Sequence, residues 1–92
     1  MTRPRVLIAD DHRVVAQGLK TMLSAEFDLV GVVADGRAMV DAAKALRPDV
    51  IVADVSMPEL NGIDALETLR HEGLDVPVVF LTMHSQPGYA RR

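Results

Sequence analysis

The chain has 92 residues, with 10 Lys and Arg against 13 Asp and Glu, a net charge of −3, 49 % apolar content and no cysteine. A domain of this size buries only about 60–65 % of the surface its unfolded chain exposes, so stability must come from efficient layering or a partner; without thiols, disulfide braces, thiolate metal sites and cysteine nucleophiles are excluded. The acidic balance argues against direct docking on nucleic-acid phosphates, Arg3, Arg5 and Asp10 interrupt any secretory signal, and the longest stretch free of Asp, Glu, Lys and Arg, residues 76–90, is too short and polar to span a bilayer.

Two periods alternate along the chain. Arg5 to Ala9 is a short apolar run that stops at Asp10, and from Val15 onward Leu19, Met22 and Leu23 recur at helical spacing. A second strand, Leu29 to Ala34, is closed by Asp35-Gly36. Met39, Ala42, Ala43 and Leu46 then form the apolar stripe of a second helix, which Pro48 ends by pushing Arg47 out of helical geometry. Asp49 to Asp54 is a β-branched run flanked by carboxylates, predicting a third strand. After a loop with Pro58 and Gly62, Ile63, Leu66 and Leu69 predict a third helix ending near Gly73. Val76 to Thr82 predicts a fourth strand, with Pro77 at its start, where a missing ladder donor does least harm. His84 to Arg92 is compatible with the opening of one more helix, with Tyr89 in its first turns.

Strands that are apolar at nearly every position are buried on both faces, and interleaved helices supply the crossovers that a parallel sheet requires. The expected architecture is an α/β three-layer sandwich. Residues 1–92 contain no repeat, low-complexity tract or linker and read as one domain.

Ligands of open parallel sheets bind outside the carboxyl ends of the strands, where strand order reverses. Strand one ends at Asp10-Asp11, strand three at Asp54 and strand four at Thr82, so topology alone brings three carboxylates and a hydroxyl to one rim. Carboxylates so close repel one another unless a cation shares the site. A hard divalent ion such as magnesium, which takes a few carboxylates, waters and a phosphate, answers that need. With the ion in place, an Asp carboxylate can attack a phosphoryl donor and form an aspartyl phosphate, to which the threonine hydroxyl can donate. Plainer readings compete: Asp10 and Asp11 as caps of the first helix, Asp54 as a turn residue, and Thr82 as a strand-forming β-branched residue. His12, His71 and His84 lie far apart without ligand spacing and are expected to be solvated.

Asp10-Asp11, the segment Asp54-Val55-Ser56-Met57-Pro58-Glu59-Leu60-Asn61-Gly62 and Leu81-Thr82 together resemble the receiver domain of bacterial two-component response regulators. Leu7-Ile8-Ala9-Asp10-Asp11-His12 and Leu81-Thr82-Met83-His84 are most similar to the subfamily whose receivers precede a helix-turn-helix DNA-binding domain. The resemblance implies a flavodoxin-like strand order of 2-1-3-4, with Asp54 as phosphoacceptor. Asp10, Asp11, Asp54 and the backbone carbonyl of Ser56 would hold Mg, and Thr82 would be the switch hydroxyl. It further implies a histidine kinase as phosphoryl donor, a cytoplasmic location, no membrane partner, and DNA binding by another part of the full-length protein. Met83 stands where the family more often has a small residue, which would narrow access to the pocket.

The family pattern also requires a lysine at the end of a fifth strand, followed by a fifth helix. The only lysines here are Lys20 and Lys44, both in predicted helices before strand three. The chain is therefore expected to be a receiver C-terminally truncated after strand four, lacking the fifth strand, the fifth helix and an output domain. Its expected function is Mg-dependent acceptance of a phosphoryl group at Asp54, impaired by truncation, in a switch that catalyses only its own phosphorylation. The alternative is a fragment without signalling activity that forms a homo-oligomer through the strand-four edge or swapped elements. Aspartyl phosphatases of related topology prefer Asp-x-Asp after strand one, and Asp10-Asp11-His12-Arg13 departs from that pattern.

Overall fold

A computed structural model of the protein describes residues 3–81. Four strands alternate with three helices: β1 (Arg5–Ala9), α1 (Arg13–Leu23), β2 (Asp28–Val33), α2 (Gly36–Leu46), β3 (Val50–Asp54), α3 (Gly62–His71) and β4 (Val78–Leu81). All strand pairs are parallel, in the order β2-β1-β3-β4. The α/β class is the one the alternating periods predict, and the 2-1-3-4 order is the one the resemblance implies. Strand four is shorter than expected: Val76 and Pro77 precede it, and Thr82 lies outside the described residues, as does the segment after His84. The Pro77 carbonyl nevertheless accepts from the Ile51 amide at 2.9 Å, so the approach to β4 is already aligned with the sheet.

The two faces are unequally covered among the described residues. Leu7, Ala9, Ile51 and Ala53 point to one face, where they pack with Met39, Val40 and Ala43 of α2 and Ala65 and Leu69 of α3. Leu7, Ile8, Met39, Ile51 and Leu69 are fully buried, each stabilising the fold by about 1.5–3 kcal/mol relative to exposure. Val6 and Ile8 point to the opposite face, where α1 lies against β1 and β2. Two helical stripes depart from the predicted ones. Met22 is exposed and Ala16 is the buried residue of α1; Ile63 is half-exposed, and Ala65 with Leu69 carries the α3 contact. Steps of three residues drift by about 60° per step around a helix, so a 63-66-69 stripe rotates off the core, whereas 65 and 69 lie about one turn apart.

Local chemistry sets the helix ends. Asp35 Oδ1 accepts from the Ala38 amide at 2.7 Å and Asn61 Oδ1 from the Asp64 amide at 2.8 Å, capping α2 and α3. Arg47 leaves the helix as predicted, but in the left-handed region (φ 49°) instead of an extended one. There its carbonyl accepts from the Arg5 guanidinium at 3.0 Å, while the Arg5 amide donates to Asp49 Oδ2 at 2.8 Å. These bonds tie β1, α2 and β3 together at the end of the sheet away from Asp54. Past α3, Arg70 donates to the carbonyls of Leu74 and Val76, both at 2.8 Å, fixing the lead into β4.

Candidate functional site

β1 pairs with β2 on one side and β3 on the other, so β1 and β3 flank the point where strand order reverses. Asp10 directly follows β1 and Asp54 ends β3. Both are buried, with side chains 1 % and 4 % exposed. Asp11 is more open, its side chain 34 % exposed. The sequence expectation that topology gathers these three carboxylates is met: one carboxylate oxygen from each, together with a His12 nitrogen, lies within 4.8 Å of all the others.

The hydrogen bonding is incomplete. Asp10 Oδ1 accepts from the His12 amide at 2.8 Å and from His12 Nδ1 at 2.9 Å, and Asp54 Oδ1 accepts from the Ser56 amide at 3.3 Å. Asp10 Oδ2 and Asp54 Oδ2 are buried without any hydrogen-bond partner. A buried, unpaired carboxylate oxygen is costly, and two within one cluster mark a place suited to a cation. The three carboxylates of the cluster fit Mg²⁺. The cap reading of Asp10 and Asp11 does not hold, because the N-cap of α1 is His12, and it makes no side-chain cap bond.

Ser56 follows on the loop after β3. Its amide engages Asp54, and the residue is exposed. Thr82 lies outside the described residues. The loop is held by close packing: at Gly62 a Cβ would run into the Asp54 carbonyl and approach the Phe80 ring to 2.9 Å, and at Gly36 it would run into the Leu60 carbonyl. The Gly62 amide also donates to the Val55 carbonyl at 2.8 Å. Met57, 8 % exposed, anchors the loop in the core.

Sequence reasoning missed His12. It is about half exposed, as a solvated residue would be, yet its Nδ1 lies 2.9 Å from Asp10, 3.1 Å from Asp54 and 3.2 Å from Asp11. The signal was present in its adjacency to Asp10-Asp11, but a search for spaced histidines passes over it. The hydrogen bond to Asp10 and the charges of Asp11 and Asp54 hold the imidazole above its ordinary value, against a desolvation effect in the other direction. A surface concavity of about 790 Å³ runs along the outer side of α1 past Arg13, Val14, Gln17, Gly18, Thr21 and Met22. None of Asp10, Asp11, His12 and Asp54 lines it.

A parallel sheet with an acidic pocket at its reversal point defines an open α/β domain whose site lies where such sheets bind ligands. The profile of the response regulator receiver domain family matches residues 6–92, and the chain belongs to that family. It is 36 % identical over 84 residues to the transcriptional regulatory protein YdfI of Bacillus subtilis, covering 89 % of this chain and 39 % of that protein. It is 40 % identical over 78 residues to the response regulator MprA of Mycolicibacterium vanbaalenii, covering 85 % of this chain and 34 % of that protein. The chain thus spans well under half the length of these relatives. The response regulator domain of Thermotoga maritima CheB superposes with a TM-score of 0.83 at 33 % identity, over 94 % of this chain and 65 % of that one. No described helix is long and apolar enough to cross a membrane.

Proposed function

We propose that this chain receives a phosphoryl group on Asp54 from a histidine kinase, with Asp10, Asp11 and Asp54 holding Mg²⁺, as the signal-input part of a two-component system. The single observation that carries this reading is the buried, unpartnered Oδ2 of Asp54 beside the equally unpartnered Oδ2 of Asp10 at the mouth of the sheet. An Asp54 oxygen attacks the phosphorus of a phosphohistidine, the P–N bond breaks, and the phosphoryl group moves to the carboxylate. Bound magnesium supplies charge neutralisation for the phosphoryl oxygens and for the acidic cluster. The Ser56 amide holds Asp54 Oδ1 and the close packing at Gly62 fixes the Asp54 backbone, while the Ser56 carbonyl would add a further oxygen for the ion. Thr82 supplies a hydroxyl to the phosphoryl group. DNA binding belongs to another part of the full-length protein, in keeping with the chain's match to 39 % of the transcriptional regulatory protein YdfI.

Incubation with Mg²⁺ and a small phosphoryl donor tests this. One added phosphoryl mass is expected, lost on Asp54→Asn and on chelation; an intact protein that gains no mass refutes the reading.

A second reading has its own support. β4 has a partner only on its β3 side among the described residues, and its Val79 is 51 % exposed. Edge pairing between copies would cover that strand. Light scattering that gives a monomer mass at all concentrations excludes it.

A further inference from the structure

We propose that His12 is a metal ligand, and that through its Nδ1 the pocket binds nitrogen-accepting divalent transition ions such as Co²⁺ and Zn²⁺ in preference to Mg²⁺. The inference rests on the pocket assignment made above and concerns which ions that pocket selects.

Three oxygens surround one nitrogen. Asp10 Oδ1, Asp54 Oδ2 and Asp11 Oδ1 lie 2.9, 3.1 and 3.2 Å from His12 Nδ1. A single N–H cannot serve three acceptors. It bonds to Asp10, and Asp54 Oδ2 remains without a hydrogen-bond partner although the nitrogen is only 3.1 Å away. The spacing instead suits ligands that share an ion. With metal–ligand distances of about 2.0–2.2 Å, adjacent ligand atoms in tetrahedral or octahedral sites stand about 3.0–3.5 Å apart. All four candidate atoms fall within 4.8 Å of one another, so small adjustments close them around one centre.

The donor set then decides the ion. Three carboxylates alone suit a hard ion such as Mg²⁺, which dehydrates reluctantly and keeps oxygen ligands. Adding an imidazole nitrogen shifts the preference toward cobalt, nickel, copper and zinc, which accept nitrogen and stand above magnesium in affinity for mixed N,O sites. His12 is half exposed and its side chain makes no helix cap bond, so the helix does not fix its ring. It can turn in for a transition ion and swing out for magnesium with its waters.

The test titrates Co²⁺, Zn²⁺ and Mg²⁺ separately into the intact chain by calorimetry, with the visible absorption of bound Co²⁺ reporting its ligand field. His12→Ala and His12→Gln are compared with Asp54→Asn, with His71→Ala as a control for stray histidine sites. The proposal expects His12→Ala and His12→Gln each to weaken Co²⁺ and Zn²⁺ by at least the roughly 10–100-fold that losing even an outer-shell partner costs. Mg²⁺ affinity should be unchanged or higher, and the Co²⁺ spectrum should lose its nitrogen contribution. His71→Ala should change nothing. Equal Co²⁺ and Zn²⁺ affinity in wild type and both His12 variants overturns the proposal, as does transition-ion binding that survives Asp54→Asn. Mg²⁺ binding that depends on Asp54 but no tighter binding of Zn²⁺ would leave the phosphoacceptor reading standing and this one refuted. Zn²⁺ binding that depends on His12 without any Mg²⁺ binding would do the reverse.

Discussion

Neutralising Asp54 should stabilise the metal-free domain. One oxygen from each of Asp10, Asp11 and Asp54 falls within a sphere of contacts no wider than 4.8 Å, and two unit charges at that separation repel by about 3.5 kcal/mol at an effective dielectric constant of about 20. Solvent reaches Asp11 and weakens its share, and the imidazolium form of His12 offsets more, which leaves an expected gain of about 1–3 kcal/mol for Asp54→Asn. The substitution is nearly isosteric. Asn Oδ1 can keep the bond from the Ser56 amide, and the new NH₂ can donate to Asp10 Oδ2, which has no partner. Urea and thermal unfolding in chelator should show a Tm increase of at least about 4 °C. Asp41→Asn, which removes an equal charge from an exposed position on α2, should do little. Added Mg²⁺ should stabilise wild type by about 2.7 kcal/mol at a hundredfold excess over Kd and close the gap. If Asp54→Asn is no more stable than wild type in chelator, the cluster is not under the strain described here.

Three further outcomes follow from the structure. Gly62→Ala forces a Cβ against the Asp54 carbonyl and the Phe80 ring; a loss of about 1–3 kcal/mol is expected by urea unfolding, with weaker Mg²⁺ binding, and a neutral result would mean the loop yields. Asn61→Ala removes the α3 cap and should cost about 1 kcal/mol without changing metal affinity in calorimetry. Lys44 Nζ and Glu72 Oε1, 2.8 Å apart, hold Glu72 below and Lys44 above their ordinary values. The Glu72 contribution is therefore complete above pH 4.5 and lost as pH falls through its lower folded value, while that of Lys44 is complete below pH 10.5 and lost as pH rises through its higher one. Urea midpoints of wild type and Glu72→Gln should converge at acid pH, and a constant difference would refute the pairing.

The α/β class and the acidic rim were legible because both follow from alternating periods and from which residues end β1 and β3, whereas the order of the strands was implied by the resemblance that Asp10-Asp11 and the Asp54 to Gly62 segment carry. Asp10 and Asp54 meet wherever a parallel sheet reverses, whatever the details of the loops. Helix faces were less legible: Met22 and Ile63 are apolar yet turned outward, because small residues, Ala16 and Ala65, allow the helices to approach the sheet closely. The left-handed turn at Arg47 was hidden because its cause, a carbonyl accepting from Arg5, joins positions 42 residues apart. His12 was overlooked for a similar reason. Its partner Asp54 is distant in the chain, and only the closure of β1 against β3 brings them together.

The bonds from Arg5 to Arg47 and Asp49 give the molecule two poles with separate duties. One end of the sheet is fastened by neutral and charged hydrogen bonds that involve no ligand, and the other is left electrostatically open. Damage to the fastened pole, as in Asp49→Ala, should therefore surface as faster unfolding and poorer yield of an otherwise competent molecule. A phenotype mapped to that end would report abundance, whereas one mapped to the open end would report the chemistry of the acidic pocket.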